Sequence, residues 1–329
     1  MKRIVITGAT GFIGGFIVAA AIEKGWDVYI AARKSSNLQW IQNFSFTRIE
    51  LDFSNVDSMS KKLNEIQPHY IIHNAGLTKA PNQKSFDEVN AEYTENLAMA
   101  AMKSGIPLEK FVFLSSLASF GPADNHPVDI VNESCQPHPV TMYGKSKLLA
   151  EQKIKSIVGL PYIILRPTAV YGPREKDLFS VFKMVASGFS VYSGNGGQKL
   201  TFVHVNDLVE WIVRCTENRH VAKSYFVCDG NVYSPTELNT LISRNLGKKT
   251  LKIGVPLWLL TVIGYFSEWM GKLAGKLPPL NIDKLNEIKA NNWQCDVEPL
   301  IKDTGYQPVY NLEKGIKLTV NWYKENNWL

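Results

Sequence analysis

Cysteine is scarce in this sequence, which has four cysteines in 329 residues and no CxxC pair. They lie far apart, so neither a disulfide framework nor a cysteine-ligated metal centre is indicated. HExxH and other zinc-ligand spacings are also missing, and we expect no metal site. No secretory signal pattern precedes the first strand pattern, so a reducing cytoplasm is the expected compartment.

Blocks of one charge and long apolar runs are missing too. Lys and Arg total 36 against 30 Asp and Glu, a net charge of +6 without a basic arm, which suits an anionic small molecule better than nucleic acid. The uncharged run from Ile253 to Ser267 is shorter than the roughly 20 residues that span a bilayer, so we predict no stable membrane insertion. We interpret it first as a core helix, then as an apolar lid, and last as an interfacial membrane helix.

Three glycines near the start indicate a ligand site. Gly8, Gly11 and Gly14 separate the β-branched run RIVIT from a helical pattern that closes at Gly25. In dinucleotide-binding proteins the first glycine allows a tight turn, the second lets a pyrophosphate approach, and the third lets the helix pack closely on the sheet. The helix N-terminus adds N–H donors and partial positive charge. We therefore predict NAD(P) binding here rather than a plain glycine-rich turn.

The end of the second strand pattern, DVYIAA, bears on which dinucleotide binds. NAD-selective sites carry an acidic residue there, whereas this sequence has Arg33 and Lys34 followed by two serines. A guanidinium and an ammonium suit the 2′-phosphate of NADP, although the same pair would also serve as a solvated loop. We predict NADP(H), with NAD(H) as the alternative.

Strand and helix patterns continue to alternate, which predicts an α/β fold with a Rossmann-type doubly wound parallel sheet and a smaller α/β C-terminal substrate-binding region. The third to sixth strands are predicted to end at Asp52, Gly76, Ser116 and Pro167. Ligands of such sheets bind at the carboxyl ends of the strands. One crevice should therefore be rimmed by Asp52, Ala75, Gly76, Ser115, Ser116 and Pro167. Asp52 would accept a hydrogen bond from adenine or cap the next helix.

The stretch YGKSK opens an apolar-periodic helix. Tyr143 and Lys147 are four residues apart and share one helix face, so both can point into the crevice beside Ser116. A free tyrosine has a pKa near 10 and needs a nearby cation to act as a base at neutral pH. Alone, the pair would more often be a surface tyrosine packed along a lysine stem.

Several motifs occur together in a characteristic order: TGATGFIG, HNAG, VNAEYTENL, FLSSLASFGP, YGKSK, LRPTAVYGPR and FVHVNDL. In this combination the chain resembles the extended short-chain dehydrogenase/reductase superfamily, also described as the NAD-dependent epimerase/dehydratase family, over nearly its whole length. The C-terminal tail is similar to bacterial 3β-hydroxysteroid dehydrogenase and dihydroflavonol reductase-like members. This resemblance names no substrate.

The resemblance implies that Ser116 hydrogen-bonds the substrate oxygen, that Tyr143 is the general acid/base, and that Lys147 lowers the tyrosine pKa and holds the nicotinamide ribose. Asn90 would support the site. The predicted cofactor contacts are Gly8, Thr10, Gly11, Phe12, Ile13, Gly14, Arg33, Lys34, Asp52, Phe53, Ala75, Gly76, Asn90, Ser115, Tyr143, Lys147, Pro167 and Val170. The predicted substrate contacts are Thr78, Tyr171 and Arg174. His204 is expected to be a buried hydrogen-bonding residue, and Asp207 a helix cap.

Two positions depart from the pattern of sugar-nucleotide members. Ala169 stands where they carry a phosphate-binding Asn, and Leu200 stands where they carry an arginine that clamps the diphosphate. The loss of an amide and a bidentate guanidinium disfavours a nucleotide sugar.

These observations predict an NADP(H)-dependent oxidoreductase that interconverts a secondary alcohol and a ketone on a fairly apolar small molecule. One alternative is a sugar or nucleotide-sugar epimerase or dehydratase with tightly bound NAD(P). Another is a non-catalytic NADP-binding redox sensor, which would have little use for a tuned tyrosine. Residues 1–168 plus about 203–230 would form the dinucleotide domain and about 169–202 plus 231–329 the substrate domain, in a monomer or a homodimer.

Overall fold

The computed structural model describes residues 1–125, 128–194, 196–274 and 282–329. Seven parallel strands form the main sheet, in the order β10-β6-β5-β4-β1-β2-β3. These strands are β1 (Arg3–Thr7), β2 (Asp27–Ala31), β3 (Thr47–Ile49), β4 (Tyr70–His73), β5 (Lys110–Leu114), β6 (Tyr162–Pro167) and β10 (Lys223–Val227). The order reverses direction between β1 and β4, where ligands of doubly wound sheets bind. The predicted Rossmann-type sheet is confirmed.

Helices cover both faces of this sheet. They are α1 (Phe12–Glu23), α2 (Val56–Ile66), α3 (Gln83–Asp87), α4 (Tyr93–Lys103), α5 (Met142–Ser156) and α7 (Val205–Glu217), with a π-helical turn at Glu88–Glu92. Side chains alternate between the faces along each strand. Ile4 and Ile6 therefore pack into one core with α1 and α7, while Val5 packs into the other with α2, α4 and α5.

A second region lies beyond the sheet and has its own core. It contains β7 (Ala169–Tyr171) paired with β9 (Phe202–His204), and β8 (Phe189–Ser193) paired with β11 (Leu251–Val255). Its helices are α6 (Phe179–Ala186), α8 (Pro235–Leu246), α9 (Leu257–Ala274), α10 (Ile282–Lys289) and α12 (Leu312–Glu325). Tyr171, Phe182, Ile316 and Tyr323 are buried together there. Helix α11 (Glu298–Thr304) instead packs on the main sheet, where Leu300 is buried in the same core as Ile4 and Ile6.

Four local predictions need correction. The third, fourth and fifth strands end at Ile49, His73 and Leu114, earlier than predicted. Asp52 instead folds its carboxylate onto the N–H and hydroxyl of Ser54, in a local turn that competes with strand pairing. The cap of α2 is not Asp52 but Asn55, which accepts from the Ser58 N–H at 2.9 Å.

His204 is a buried hydrogen-bonding residue, as predicted, whereas Asp207 is not the cap of α7. His204 Nδ1 caps α7 by accepting from the Asn206 N–H at 3.3 Å. Asp207 is fully buried and does not cap the helix. Its carboxylate accepts from the Tyr306 hydroxyl at 2.6 Å and from the Tyr310 N–H at 2.9 Å, which ties the C-terminal segment to α7.

The uncharged run from Ile253 to Ser267 forms the end of β11 and the first part of α9. Interpreting it as a core helix is wrong for one face, since Trp258 and Val262 are exposed. Among the described residues, no helix is both long and apolar enough to cross a membrane.

Candidate active site

The turn that contains Gly8, Gly11 and Gly14 packs closely between β1 and α1, and we call it the glycine cradle. Gly8 has φ +67°, and a Cβ there would lie 2.7 Å from the backbone nitrogen of Ala75. A Cβ on Gly14 would lie 2.0 Å from the Gly8 carbonyl oxygen, so the third glycine is required for the helix to approach the strand. Gly11 precedes α1 without a side-chain cap. The first-turn N–H groups are thus available to an anion, and this cradle fits a dinucleotide pyrophosphate.

The other predicted residues of this turn lie around its mouth. Thr10, Phe12 and Ile13 are partly exposed, as a contact with a bound dinucleotide requires. Arg33 and Lys34 are exposed immediately after β2, in a tight turn in which the Ser36 N–H donates to the Arg33 carbonyl at 2.9 Å. Positive charge therefore lies at the carboxyl end of β2.

Asp52 and Phe53 follow β3 at the same edge of the sheet. The Asp52 carboxylate is exposed, and its pKa is lowered by the hydrogen bonds from Ser54. The Phe53 ring stacks on Tyr93, with ring centres 6.2 Å apart. The Asp52 carboxylate and the Phe53 ring therefore lie near the end of β2.

Ser116, Tyr143 and Lys147 lie together at the carboxyl end of β5. Ser116 is two residues past the end of the strand and is hydrogen-bonded to Tyr143, which lies in the first turn of α5. Thr141 caps this helix by accepting from the Gly144 N–H at 2.9 Å. Lys147, one turn further on, is buried and donates to the Leu114 carbonyl at 2.8 Å. The structure therefore brings the three predicted catalytic side chains into one cluster.

Burial shifts the pKa values of Tyr143 and Lys147 in opposite directions. Burial raises the pKa of Tyr143 to about 12, against the lowering effect of its hydrogen bond with Ser116. Burial also lowers the pKa of Lys147 to about 8, with Glu151 opposing the shift. The hydrogen bond with Ser116 therefore favours the phenolate, and positive charge brought by a ligand would lower the pKa of Tyr143 further.

The loop after β4 joins the glycine cradle to α5. The Ala75 N–H donates to Thr7 Oγ1 at 3.1 Å, and a Cβ on Gly76 would lie 3.3 Å from Lys147 Nζ. Asn90 is fully buried in the π-helical turn, where its amide oxygen accepts from the Leu77 N–H at 2.7 Å.

One further hydrogen bond holds this loop. The Asn90 amide nitrogen donates to Ser146 Oγ at 3.0 Å, so Asn90 fixes the loop against α5. Thr78 is exposed two residues beyond Gly76.

Ser115 faces away from the crevice. Its hydroxyl donates to the Glu151 carboxylate, which also binds Arg166 through Nε at 2.9 Å and Nη2 at 2.6 Å. Because this hydroxyl is already engaged below the site, the predicted cofactor contact of Ser115 would have to use other atoms of the residue. This buried pair was not predicted from the sequence. Two features of the sequence point to it. Glu151 lies four residues after Lys147, on the same helix face, and Arg166 places a charge in the apolar strand YIILRP.

The predicted substrate residues lie in different places. Tyr171 is 1% exposed, and its hydroxyl donates to the Asn311 carbonyl within the second core, which leaves it no surface to contact a substrate. The Arg174 guanidinium lies between the rings of Phe16 and Trp40, 4.8 and 4.9 Å from their centres. It therefore covers the first turns of α1 rather than the Tyr143 end of the crevice.

The residues after β6 complete the rim. Pro167 is buried at the end of β6, and Val170 is partly exposed on β7. Ala169 is exposed, whereas Leu200 packs against the core of the second region. Neither Ala169 nor Leu200 offers a polar side chain to a phosphate.

Fold and site together define a Rossmann-type protein whose glycine cradle fits a dinucleotide pyrophosphate. The model of the NAD dependent epimerase/dehydratase family matches residues 4–228, and the chain belongs to this family. Its members are enzymes that act on CH–OH groups.

Relatives and solved structures span nearly the whole chain. UDP-glucose 4-epimerase of Vibrio cholerae is 28% identical, over 99% of this chain and 97% of its own. Ceramide reductase of Caulobacter vibrioides is 24% identical, over 99% and 96%. The crystal structure of UDP-glucuronic acid 4-epimerase from Bacillus cereus, in complex with UDP-glucuronic acid and NAD, has a TM-score of 0.77 at 20% identity, over 99% of this chain and 100% of that chain.

Proposed function

We propose that this protein is an epimerase or dehydratase that moves a hydride between a nicotinamide dinucleotide and a secondary carbinol carbon of a sugar derivative. The cluster of Ser116, Tyr143 and Lys147 beside the glycine cradle is the observation that carries this proposal. Family membership and the similarity to sugar epimerases favour this reaction over net reduction of an apolar ketone. A purely sensory role is disfavoured, because all three side chains are present and clustered.

The chain's own residues would handle the proton. Ser116 would hydrogen-bond the reacting oxygen while the Tyr143 oxygen takes the hydroxyl proton as the C–O single bond becomes a carbonyl. When bound, the dinucleotide supplies the hydride acceptor at the nicotinamide and a positive charge. Lys147, next to Gly76, would bind the adjoining ribose. Asn90 would hold this loop in place through Leu77 and Ser146.

For the dinucleotide we propose NADP(H) over NAD(H). Arg33 and Lys34 are exposed at the end of β2, where a carboxylate would accept from the ribose of NAD. Two cations there favour an additional phosphate. The glycine cradle itself would accept either dinucleotide.

A second candidate is a net alcohol/ketone oxidoreductase for an apolar molecule. Ala169 and Leu200 favour it, because neither provides the polar anchor that a sugar diphosphate requires. The similarity to ceramide reductase is consistent with such a substrate.

A product assay separates the two candidates. The purified protein would be incubated with UDP-glucose, UDP-N-acetylglucosamine and UDP-glucuronic acid, and the sugars analysed by proton NMR. Epimerised or dehydrated sugar without net consumption of added NADPH supports the main proposal. Stoichiometric NADPH oxidation by an apolar ketone, with every sugar unchanged, would overturn it in favour of the second candidate.

A further inference from the structure

Helix α9 exposes an apolar stripe. Trp258 is 68% exposed, and Val262 and Tyr265 are each 58% exposed. Their spacing of four and then three residues places them on one face of the helix. A contiguous exposed apolar surface that contains large aromatic rings marks an interaction site.

The opposite face of α9 is packed. A Cβ on Gly264 would lie 2.2 Å from Leu285 Cδ1, so α9 lies directly against α10. The Glu268 carboxylate also accepts from the Ile282 N–H at 3.2 Å. Because one face is fixed to protein, the stripe has a set orientation and can be covered from one side only.

Positive charge accompanies the stripe. Residues 248–274 contain four lysines and one glutamate, which gives 4 − 1 = +3. Lys248, Lys249 and Lys252 are exposed just before the helix begins. Trp and Tyr favour the interface of a bilayer, where their rings contact acyl chains and their polar groups contact headgroups. Lysines next to such a surface are attracted by anionic lipids.

The stripe is connected to the catalytic cluster through α10. The Asp283 carboxylate accepts from the Met142 N–H at 2.9 and 3.1 Å, one residue before Tyr143. Asn286 Nδ2 donates to the Val140 carbonyl at 3.1 Å, in the loop that leads into α5. A surface that contacts α9 would therefore lie close to the rim formed by α10 and the start of α5.

We propose that α9 is an in-plane lipid-contacting helix that docks this protein on an anionic bilayer surface. The stripe of Trp258, Val262 and Tyr265 enters the headgroup region, and Lys248, Lys249 and Lys252 bind the anionic headgroups. A second copy of the chain would bring the same positive charge to the same stripe, so self-association lacks this complementarity. Docking does not depend on which reaction the site catalyses.

Vesicle cosedimentation of the full chain tests the proposal. The vesicles would be phosphatidylcholine alone, or phosphatidylcholine with about one third phosphatidylglycerol. We expect binding to the anionic vesicles, weakened by salt because the headgroup contacts are exposed. The triple variant Trp258→Ser/Val262→Ser/Tyr265→Ser should lower the partition coefficient about tenfold or more. The variant Lys248→Glu/Lys249→Glu/Lys252→Glu should abolish the preference for anionic lipid.

A matched control removes exposed apolar side chains elsewhere: Val158→Ser/Val221→Ser/Leu318→Ser. It should bind vesicles like the wild type. No binding of the wild type to anionic vesicles would overturn the proposal. A concentration-dependent dimer that the Trp258, Val262 and Tyr265 substitutions dissociate, without vesicle binding, would overturn it in favour of a second copy. Vesicle binding is measured without turnover, so its outcome is independent of the sugar assay.

Discussion

Arg166 and Glu151 form a buried ion pair directly beneath the cluster of Ser116, Tyr143 and Lys147. Their side chains are 0% and 1% exposed, and three hydrogen bonds of 2.6 to 3.0 Å join them. Glu151 also accepts from Ser115 and from Ser119, the latter at 2.8 Å. The pair therefore links α5, which carries Tyr143, to the ends of β5 and β6.

Removal of the Glu151 charge should destabilise the fold. Glu151→Gln leaves a buried guanidinium without its full counter-charge, and we expect the free energy of unfolding to fall by about 3–5 kcal/mol. Urea denaturation followed by circular dichroism measures this change. Glu133→Gln is the matched control, because Glu133 binds the same guanidinium from a 43% exposed position and should cost about 1 kcal/mol or less. An equal loss of unfolding free energy in the two variants would contradict a larger stabilisation by the buried pair.

Tyr143→Phe should remove turnover while the protein stays folded. The phenol ring packs near Phe86, with ring centres 6.2 Å apart, and a phenylalanine preserves that contact. Loss of the proton-transferring oxygen should lower kcat by about 10²–10⁴-fold. Dinucleotide affinity, measured by calorimetry, should change little. Retained turnover would show that another group handles the proton.

Neighbouring glycines of α1 provide a direct test of the cradle. A Cβ at Gly14 would lie 2.0 Å from the Gly8 carbonyl oxygen, whereas a Cβ at Gly15 would have Arg174 Nη1 at 3.4 Å as its nearest atom. Gly14→Ala should therefore displace α1 from the turn and abolish dinucleotide binding. Gly15→Ala should retain binding, since alanine is the better helix former. Thermal shift with each dinucleotide is the measurement, and equal behaviour of the two variants would argue against the cradle.

The sequence predicted the features that depend on local spacing. Gly8 to Gly14 and the pair Tyr143 and Lys147 could be located because turn geometry and helix periodicity relate such neighbours directly. Glu151 and Arg166 each stand out in the sequence, but they join a helix to a strand, and no spacing rule relates two such residues to each other. The orientation of Ser115 was missed for a different reason. Successive residues at a strand end point to opposite sides, so Ser115 and Ser116 could not share the crevice.

Tertiary packing determines where the predicted substrate residues Tyr171 and Arg174 lie. Tyr171 follows β6 as a crevice residue would, but its ring is enclosed by α12, where a Cβ on Gly315 would lie 2.0 Å from the Tyr171 hydroxyl. Arg174 is drawn towards Phe16 and Trp40 by cation–π contacts between distant segments. Neither contact has a signature in the sequence.

Arg33→Ala tests the choice of dinucleotide. If the guanidinium binds a 2′-phosphate, its loss should weaken the binding of NADPH by about 1.5–3 kcal/mol, or roughly 10–100-fold. The binding of NADH should be nearly unchanged. Calorimetric titration gives both affinities. Arg48→Ala is the control, because Arg48 is also an exposed arginine and lies on the neighbouring strand β3. A parallel loss for NADH and NADPH would contradict the proposed preference.

His73 should make the fold sensitive to acid. It is buried, and its ring nitrogens bond Thr7 Oγ1 at 2.7 Å and Thr94 Oγ1 at 2.8 Å. Burial, together with repulsion from Lys147, lowers its pKa to about 3. In the unfolded chain a histidine protonates near pH 6.5, so the unfolded state binds more protons between pH 6.5 and 3. Stability conferred by neutral His73 is therefore complete above pH 6.5 and is lost as the pH falls through this range.

The His73→Asn variant isolates this contribution. His204, whose burial lowers its pKa to about 4, and Asp229, whose burial raises its pKa to about 6, titrate in both proteins and cancel in the difference. Between pH 7 and pH 5 the wild type should lose about 2 kcal/mol more than the variant, at about 1.4 kcal/mol per pH unit below 6.5. Urea denaturation across this range measures the two slopes. A parallel pair of curves for wild type and His73→Asn would mean that His73 protonates as readily in the folded protein as in the unfolded chain.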